Sequence, residues 1–251
     1  MKPKLAMFSF TSCEGCQLQI LNLEDELLGV LGAVEIVNFR EAIDDKRDDY
    51  DIAFVEGSIT RDSEIEEVKD IRSKASLVVA IGSCACIGGI NALKNGFQME
   101  YCKKEVYLDK AEVFDTIPTR RVADVVDVDY EMHGCPITKK EFLTVTKNLL
   151  MGVPLKQPHY AVCTECKMNG NICLYHKGEV CLGPITRGGC ESICPNFGDP
   201  CHACRGFADE ANLPSMVDTL RDHGLDDHQI KNQFSFFNGT KTLEEYLHEK
   251  A

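Results

Sequence analysis

Short apolar runs alternate with amphipathic helical patterns over the first 150 residues of the chain. Four runs have the continuous Val-, Ile- and Phe-rich character of strands buried on both faces: KLAMFSF, AVEIVNF, YDIAFVEGS and SLVVAIGS. Between them, QLQILNLEDELLGVL and DSEIEEVKDIRSKA repeat apolar residues at helical spacing. A further strand within VADVVDVDYEMHGCP and a helix over ITKKEFLTVTKNLLMG complete the pattern. This order predicts an α/β fold, with a parallel sheet covered by helices on both faces.

Four cysteines of this first part come directly after predicted strands. Cys13 and Cys16 follow the first strand, Cys84 follows SLVVAIG, and Cys135 lies in the HGCP turn. Ligand sites in parallel sheets gather outside the carboxyl ends of the strands, so we expect the four thiols to converge. Four thiolates suit a cubane iron–sulfur cluster and equally an all-cysteine zinc site. A helix that begins after Cys16 is expected to direct its positive N-terminal end at an anionic cluster.

The second part of the chain has a different composition. Eight cysteines fall within the 42 residues from Cys163 to Cys204, among Gly, Pro and Asn and with few apolar side chains. Such a stretch lacks a hydrophobic core, so we expect metal binding to supply much of its folding free energy. We therefore predict two domains, a sheet domain over residues 1–150 and a cysteine-rich, loop-dominated domain over residues 151–251. Polar helical patterns after residue 208 predict a solvated helical tail.

Composition and charge narrow the function classes. The net charge of −13 disfavours non-specific binding to nucleic acid or to an anionic membrane. No apolar run reaches the length of about 18 residues that a membrane span needs, and the N-terminus lacks a secretory or twin-arginine signal. These features predict a cytoplasmic protein. Cytoplasmic thiols are normally reduced, so 14 cysteines indicate metal binding rather than disulfides.

Other interpretations of the cysteines remain open from the residues alone. Cys13 and Cys16 have the spacing of a thioredoxin-like dithiol, and the downstream eight have spacings that structural zinc also uses. Cys86 and Cys102 are expected to be small buried hydrophobic residues, although Cys86 is close enough to Cys84 to exchange roles with it. Neither a phosphate-binding loop nor a dinucleotide fingerprint occurs, so we expect no nucleotide binding by this chain.

The motifs TSCEGCQ, VEGS, AIGSCACIGG and HGCP, followed by the cysteine-rich half, closely resemble the small subunit of nickel–iron hydrogenases. The resemblance covers about residues 3–207. It implies a flavodoxin-like domain that holds one 4Fe–4S cluster and a C-terminal half that holds two more, three in all. The cysteines that it assigns are a proximal set (Cys13, Cys16, Cys84, Cys135), a medial set (Cys190, Cys194, Cys201, Cys204) and a distal set (Cys163, Cys166, Cys173, Cys181).

Two residues and one missing signal suggest which branch of the family the chain resembles. Cys163 stands where periplasmic and membrane-bound members usually have histidine, and Cys194 adds a fourth cysteine to a set that often has three. Together with the lack of a twin-arginine stretch, these departures imply the cytosolic, multi-subunit branch.

The resemblance also implies which role this chain has and which role belongs to other subunits. The chain would be an oxidoreductase subunit without catalytic residues of its own. It would relay electrons between the nickel–iron site of a large subunit and a flavin or iron–sulfur partner. The alternatives are a ferredoxin-like electron carrier that acts alone and an interaction protein stabilised by structural zinc sites.

Overall fold

A computed structural model of the chain describes residues 2–44 and 46–249. The outermost ends of the two predicted domains, residue 1 and residues 250–251, lie outside this range. The predicted α/β fold with a parallel sheet is confirmed, since five parallel strands pair in the order β2-β1-β3-β4-β5. The strands are β1 (Lys4–Ser9), β2 (Glu35–Asn38), β3 (Ile52–Glu56), β4 (Leu77–Ile81) and β5 (Tyr130–Met132).

Eleven α-helices are present in the described residues, joined by loops and short 3-10 turns. They are α1 (Gly15–Leu21), α2 (Asp25–Ala33), α3 (Asp62–Lys74), α4 (Gly82–Ile87), α5 (Met99–Tyr107), α6 (Lys139–Leu150), α7 (Val162–Met168), α8 (Ile193–Asn196), α9 (Leu213–Asp222), α10 (Asp227–Asn238) and α11 (Leu243–Glu249).

Two predicted elements differ in length from the structure. The helix predicted over residues 17–31 is two helices, because the chain turns at Glu24, which has a φ of 56°. A residue with positive φ is incompatible with a continuous right-handed helix. The strand predicted within residues 122–136 is only three residues long, and a 3-10 turn over Val122–Asp124 precedes it. Both differences leave the cysteine-bearing turns at the ends of the strands.

Side chains from helices fill both faces of the sheet. Phe54 of β3 packs on one face with Ile20 of α1 and Phe142 of α6. Val55, its neighbour, packs on the other face with residues of α3 and α10. This alternation explains why β3 is buried at every position.

The C-terminal tail was predicted to be solvated, and that prediction is wrong. Leu220, Ile230 and Phe234 of helices α9 and α10 are buried against Leu182 and Ile185 of the cysteine-rich segment. The tail thus supplies the apolar side chains that the cysteine-rich segment lacks. Burial of such side chains contributes about 1.5–3 kcal/mol each, so metal is not the only source of stability for this part of the chain.

No helix in the described ranges is long and apolar enough to cross a membrane.

Candidate metal centres

The carboxyl ends of four strands lie in one row across the sheet. Ser9 pairs with Glu56, Glu56 with Ile81, and Ile81 with Met132. The four cysteines of the proximal set lie in the turns and helices directly after β1, β4 and β5. The structure brings this set together. Cys84 is close enough to Cys13 and Cys135 for the charges of their thiolates to interact, and the same holds for Cys16 and Cys84.

The proximal set has a buried side and an open side. Cys16 is buried beside Gly82, where a Cβ atom would lie only 2.4 Å from the Cys16 sulfur. Gly82 also has a φ of +84°, a conformation that favours glycine. Cys13 and Cys135, by contrast, are exposed. The four thiols therefore lie at the rim of the molecule with one side facing outward.

A buried carboxylate, Glu56, positions Cys16. Glu56 is 2 % exposed at the end of β3. It accepts hydrogen bonds of 3.1 Å from the backbone amides of Cys16 and Gln17 and from the Gln17 side chain. The helix begins at Gly15 rather than after Cys16, and the amides of Cys16 and Gln17 in its first turn donate to Glu56. The carboxylate anchors the cysteine-bearing turn to the sheet.

Replacement of Glu56 by alanine is expected to destabilise the protein on the order of 3 kcal/mol, because several buried N–H donors lose their acceptor. The proximal turn should loosen and its iron content should fall. Thermal unfolding and iron analysis of the purified complex measure both effects. Glu67→Ala, an exposed carboxylate on α3, is the matched control. Unchanged stability and iron content in Glu56→Ala would rule out the anchoring role.

The distal set surrounds a single small cavity. All four of its cysteines line this cavity, together with apolar residues that include Val162 and Leu174. Cys163 and Cys166 come from α7, and Gly183 lies so close that a Cβ atom there would be 3.3 Å from the Cys163 sulfur. The medial set also comes together, since Cys204 is close enough to Cys190 and Cys194, and Cys201 to Cys204, for their charges to interact.

A second buried carboxylate, Glu165, links the distal and medial sets. It lies on α7 between Cys163 and Cys166 and accepts hydrogen bonds from the amides of Gly189, at 2.6 Å, and Ser192, at 3.0 Å. These amides flank Cys190. Glu165 therefore holds the medial turn in the way that Glu56 holds the proximal one.

Burial and hydrogen bonding act on the thiols in opposite directions. Burial raises the pKa of Cys84 and Cys204 to about 12 and that of Cys163 to about 11. Backbone hydrogen bonds oppose this increase in pKa at Cys190, from Ser192 and Ile193. Buried thiols of this kind stay protonated at neutral pH unless a bound cation favours the thiolate.

The donor chemistry of the three sets fits iron–sulfur clusters. Each set offers four cysteine sulfurs, and backbone amides lie near those of Cys181, Cys190 and Cys204, where they would tune the potential of a bound cluster. Among the described residues, no group of three or more His, Cys, Asp or Glu side chains has the geometry to hold one metal ion. This does not bear on a four-iron cluster, whose thiolates bind four different irons.

The three sets lie next to one another in the order proximal, medial, distal. The backbone of Cys135 in the proximal set lies close to the thiol of Cys204 in the medial set, and Ser83, which precedes Cys84, donates a hydrogen bond to the carbonyl of Cys204. The amide of Cys201 in the medial set donates to the Cys181 sulfur of the distal set over 3.2 Å. Adjacent sets are thus joined by direct hydrogen bonds at or beside their own cysteines.

Comparison with known proteins identifies the family. The family described as "NADH ubiquinone oxidoreductase, 20 Kd subunit" matches residues 13–149, more than half of the chain. Sulfhydrogenase 2 subunit delta of Pyrococcus furiosus is 34% identical over 236 residues, which cover 93% of this chain and 98% of that protein. The chain belongs to the family that this description names. The resemblance to nickel–iron hydrogenase small subunits is confirmed, and the chain is an oxidoreductase subunit of a hydrogenase.

A further relative agrees with this family membership, and a solved structure agrees with the fold. One subunit of the vhu F420-non-reducing hydrogenase of Methanocaldococcus jannaschii is 33% identical over 239 residues, with 83% of each chain covered. The fold matches the actinobacterial-type NiFe-hydrogenase of Ralstonia eutropha H16 with a TM-score of 0.61 at 17% identity, over 91% of this chain and 87% of that one. At that identity the match supports the fold of the hydrogenase small subunit alone.

Three charged residues beside the cysteines were not predicted from the sequence: Glu56, Glu165 and Arg205, a buried residue that directly follows Cys204. Glu56 carries a usable signal, because it is the one charged residue in the otherwise apolar run IAFVE. Glu165 and Arg205 carry none, because a charged residue among closely spaced cysteines resembles a solvated loop. Cys86 is fully buried with its thiol directed at the carbonyls of Ala80 and Met132, which confirms its expected hydrophobic role.

Proposed function

We propose that the chain relays electrons, one at a time, between the nickel–iron site of a large subunit and a partner that carries flavin or further iron–sulfur clusters. The observation that supports this proposal is the row of three thiol sets, joined by the Ser83–Cys204 and Cys201–Cys181 hydrogen bonds. A structural zinc site needs no such row, because each site would act alone. A relay needs neighbouring sites at every step.

The cysteines of the three sets are proposed to hold one 4Fe–4S cluster each. When bound, each cluster accepts and releases a single electron. The thiolates fix its position, the amides that face them stabilise its negative charge, and the apolar surroundings of Cys181 and Cys201 exclude water. Residues 1–150 would hold one cluster and residues 151–251 the other two, as the two proposed domains.

The exposure of the thiols suggests which partner lies at each end of the relay. Cys13 and Cys135 of the proximal set are exposed, so a partner that covers them would come close to the first cluster. We propose the large subunit as that partner. Cys173 of the distal set is also exposed, which leaves a second open point for the electron-accepting partner. The histidine-to-cysteine change at Cys163 and the additional Cys194 support an assembly of the cytosolic branch.

Metal and sulfide analysis of the native complex, purified without oxygen, tests the proposal. We expect about twelve iron and about twelve sulfide per copy of this chain, after subtraction of clusters on partner subunits, together with nickel. About two or three zinc per chain without sulfide would overturn the relay in favour of structural zinc sites. Full iron without nickel would instead indicate a carrier that acts apart from a hydrogenase.

A further inference from the structure

The side chain of Arg205 is buried between the two proposed domains. It directly follows Cys204 of the medial set and is 0% exposed. Its Nε donates to the carbonyl of Gly188 over 2.8 Å, and its Nη1 donates to the carbonyl of His133. Gly188 precedes the medial turn and His133 precedes Cys135 of the proximal set. One guanidinium therefore contacts the backbone beside both sets.

The charge of Arg205 is met by Glu141 in the first turn of α6. Two parallel hydrogen bonds, of 2.8 and 2.9 Å, join the guanidinium nitrogens to the two carboxylate oxygens. Both side chains are shielded from water, with exposures of 1% and 12%. Buried pairs of this kind are costly to desolvate and do not usually add much stability, so a role beyond stability is indicated.

The guanidinium lies directly against the medial turn. Gly189, the residue before Cys190, has a φ of +109°, and a Cβ atom there would lie 2.5 Å from Arg205 Nη2. Cys190 directly follows Gly189, and Cys204 directly precedes Arg205, so the guanidinium lies beside two cysteines of the medial set. Arg205, the positive member of the pair, is therefore the member that lies against the medial turn.

We propose that Arg205 is a positioning residue that holds the medial set against the proximal set and places a fixed positive charge beside the medial cluster. Glu141 partly neutralises this charge and so reduces its effect on the cluster. A positive charge favours the reduced, more negative form of a cluster, and a nearby carboxylate disfavours it. The inference rests on the proposed function, because it concerns the cluster that the medial set is proposed to hold.

Redox titration of the complete complex by electron paramagnetic resonance tests this inference with the Glu141→Gln variant. Glutamine keeps the shape and one oxygen acceptor but removes the negative charge. We expect the equilibrium constant for one-electron reduction of the medial cluster to rise roughly tenfold, which corresponds to about 59 mV. The distal cluster is the internal reference and should move much less.

Glu191→Gln is the matched control. Glu191 is adjacent to Cys190 in sequence, but its side chain is 63% exposed and pairs with Lys140 at the surface. Water and salt screen an exposed charge, so its removal should shift the medial potential far less. An equal shift in both variants would overturn the role of the buried pair. So would an unchanged medial potential in a Glu141→Gln complex that retains its iron.

Arg205→Lys decides the matter if Glu141→Gln loses its iron. Lysine keeps the charge but lacks the fork that bonds both carboxylate oxygens and two carbonyls. We expect a lower thermal stability and a medial reduction constant within about twofold of the wild-type value. A tenfold change with the charge retained would contradict the electrostatic role. If the wild-type complex shows no medial cluster signal, the proposed function fails instead.

Discussion

Replacement of Cys135 by alanine is expected to lower hydrogen-dependent dye reduction by the complete complex at least about 100-fold. Loss of an outer-shell partner of a metal site already costs about 10–100-fold, and Cys135 is proposed as a direct ligand. The backbone of Cys135 also lies close to the Cys204 thiol, so the proximal set loses a ligand at the point where it meets the medial set. Activity with a viologen dye and iron content per chain measure the effect.

Two controls distinguish a loss of electron transfer from a loss of hydrogen activation in the Cys135→Ala complex. Isotope exchange between hydrogen gas and deuterated water does not require electrons to leave the enzyme. We therefore expect the variant complex to retain this exchange while dye reduction is lost. Cys102→Ala replaces a partly buried cysteine on α5 that belongs to none of the three sets and should leave dye reduction unchanged. A Cys135→Ala complex with full dye reduction and full iron would refute the assignment of Cys135.

The sheet and the proximal set could be predicted because their signals are local. Apolar runs such as SLVVAIG determine where strands form, and parallel strands bring their carboxyl ends to one edge. The turn residues Cys84 and Cys135 then converge whatever the details of the helices. Grouping the other eight cysteines needed the family resemblance, because spacing alone does not show which thiols meet across a loop.

The residues that position the cysteines could not be predicted in the same way. Arg205 and Glu141 are far apart in sequence, and neither is unusual where it stands. Their pairing depends on how the cysteine-rich segment packs against α6, which is a tertiary effect. The buried tail was missed for a similar reason, since Phe234 and Ile230 lie among polar residues and become a core only when Leu182 and Ile185 meet them.

Gly82→Ala is expected to have the second large effect, because the new Cβ atom would lie 2.4 Å from the Cys16 sulfur. The conformation itself, with a φ of +84°, costs a non-glycine residue roughly 1–2 kcal/mol. Cys16 is buried and its turn is held by Glu56, so the sulfur has little room to move away. We expect the proximal cluster to be lost and dye reduction to fall with it.

Gly224→Ala isolates the backbone contribution to that effect. Gly224 has a φ of +88°, close to that of Gly82, but no atom lies within 4 Å of the position that its Cβ would take. We expect this control to lose roughly 1–2 kcal/mol of stability while it keeps all of its iron. Thermal unfolding and iron analysis of both variants therefore separate strain from displacement of the ligand. Equal iron in the two variants would mean that the Cys16 sulfur does not depend on the space beside Gly82, and that the geometry assigned to the proximal set is wrong.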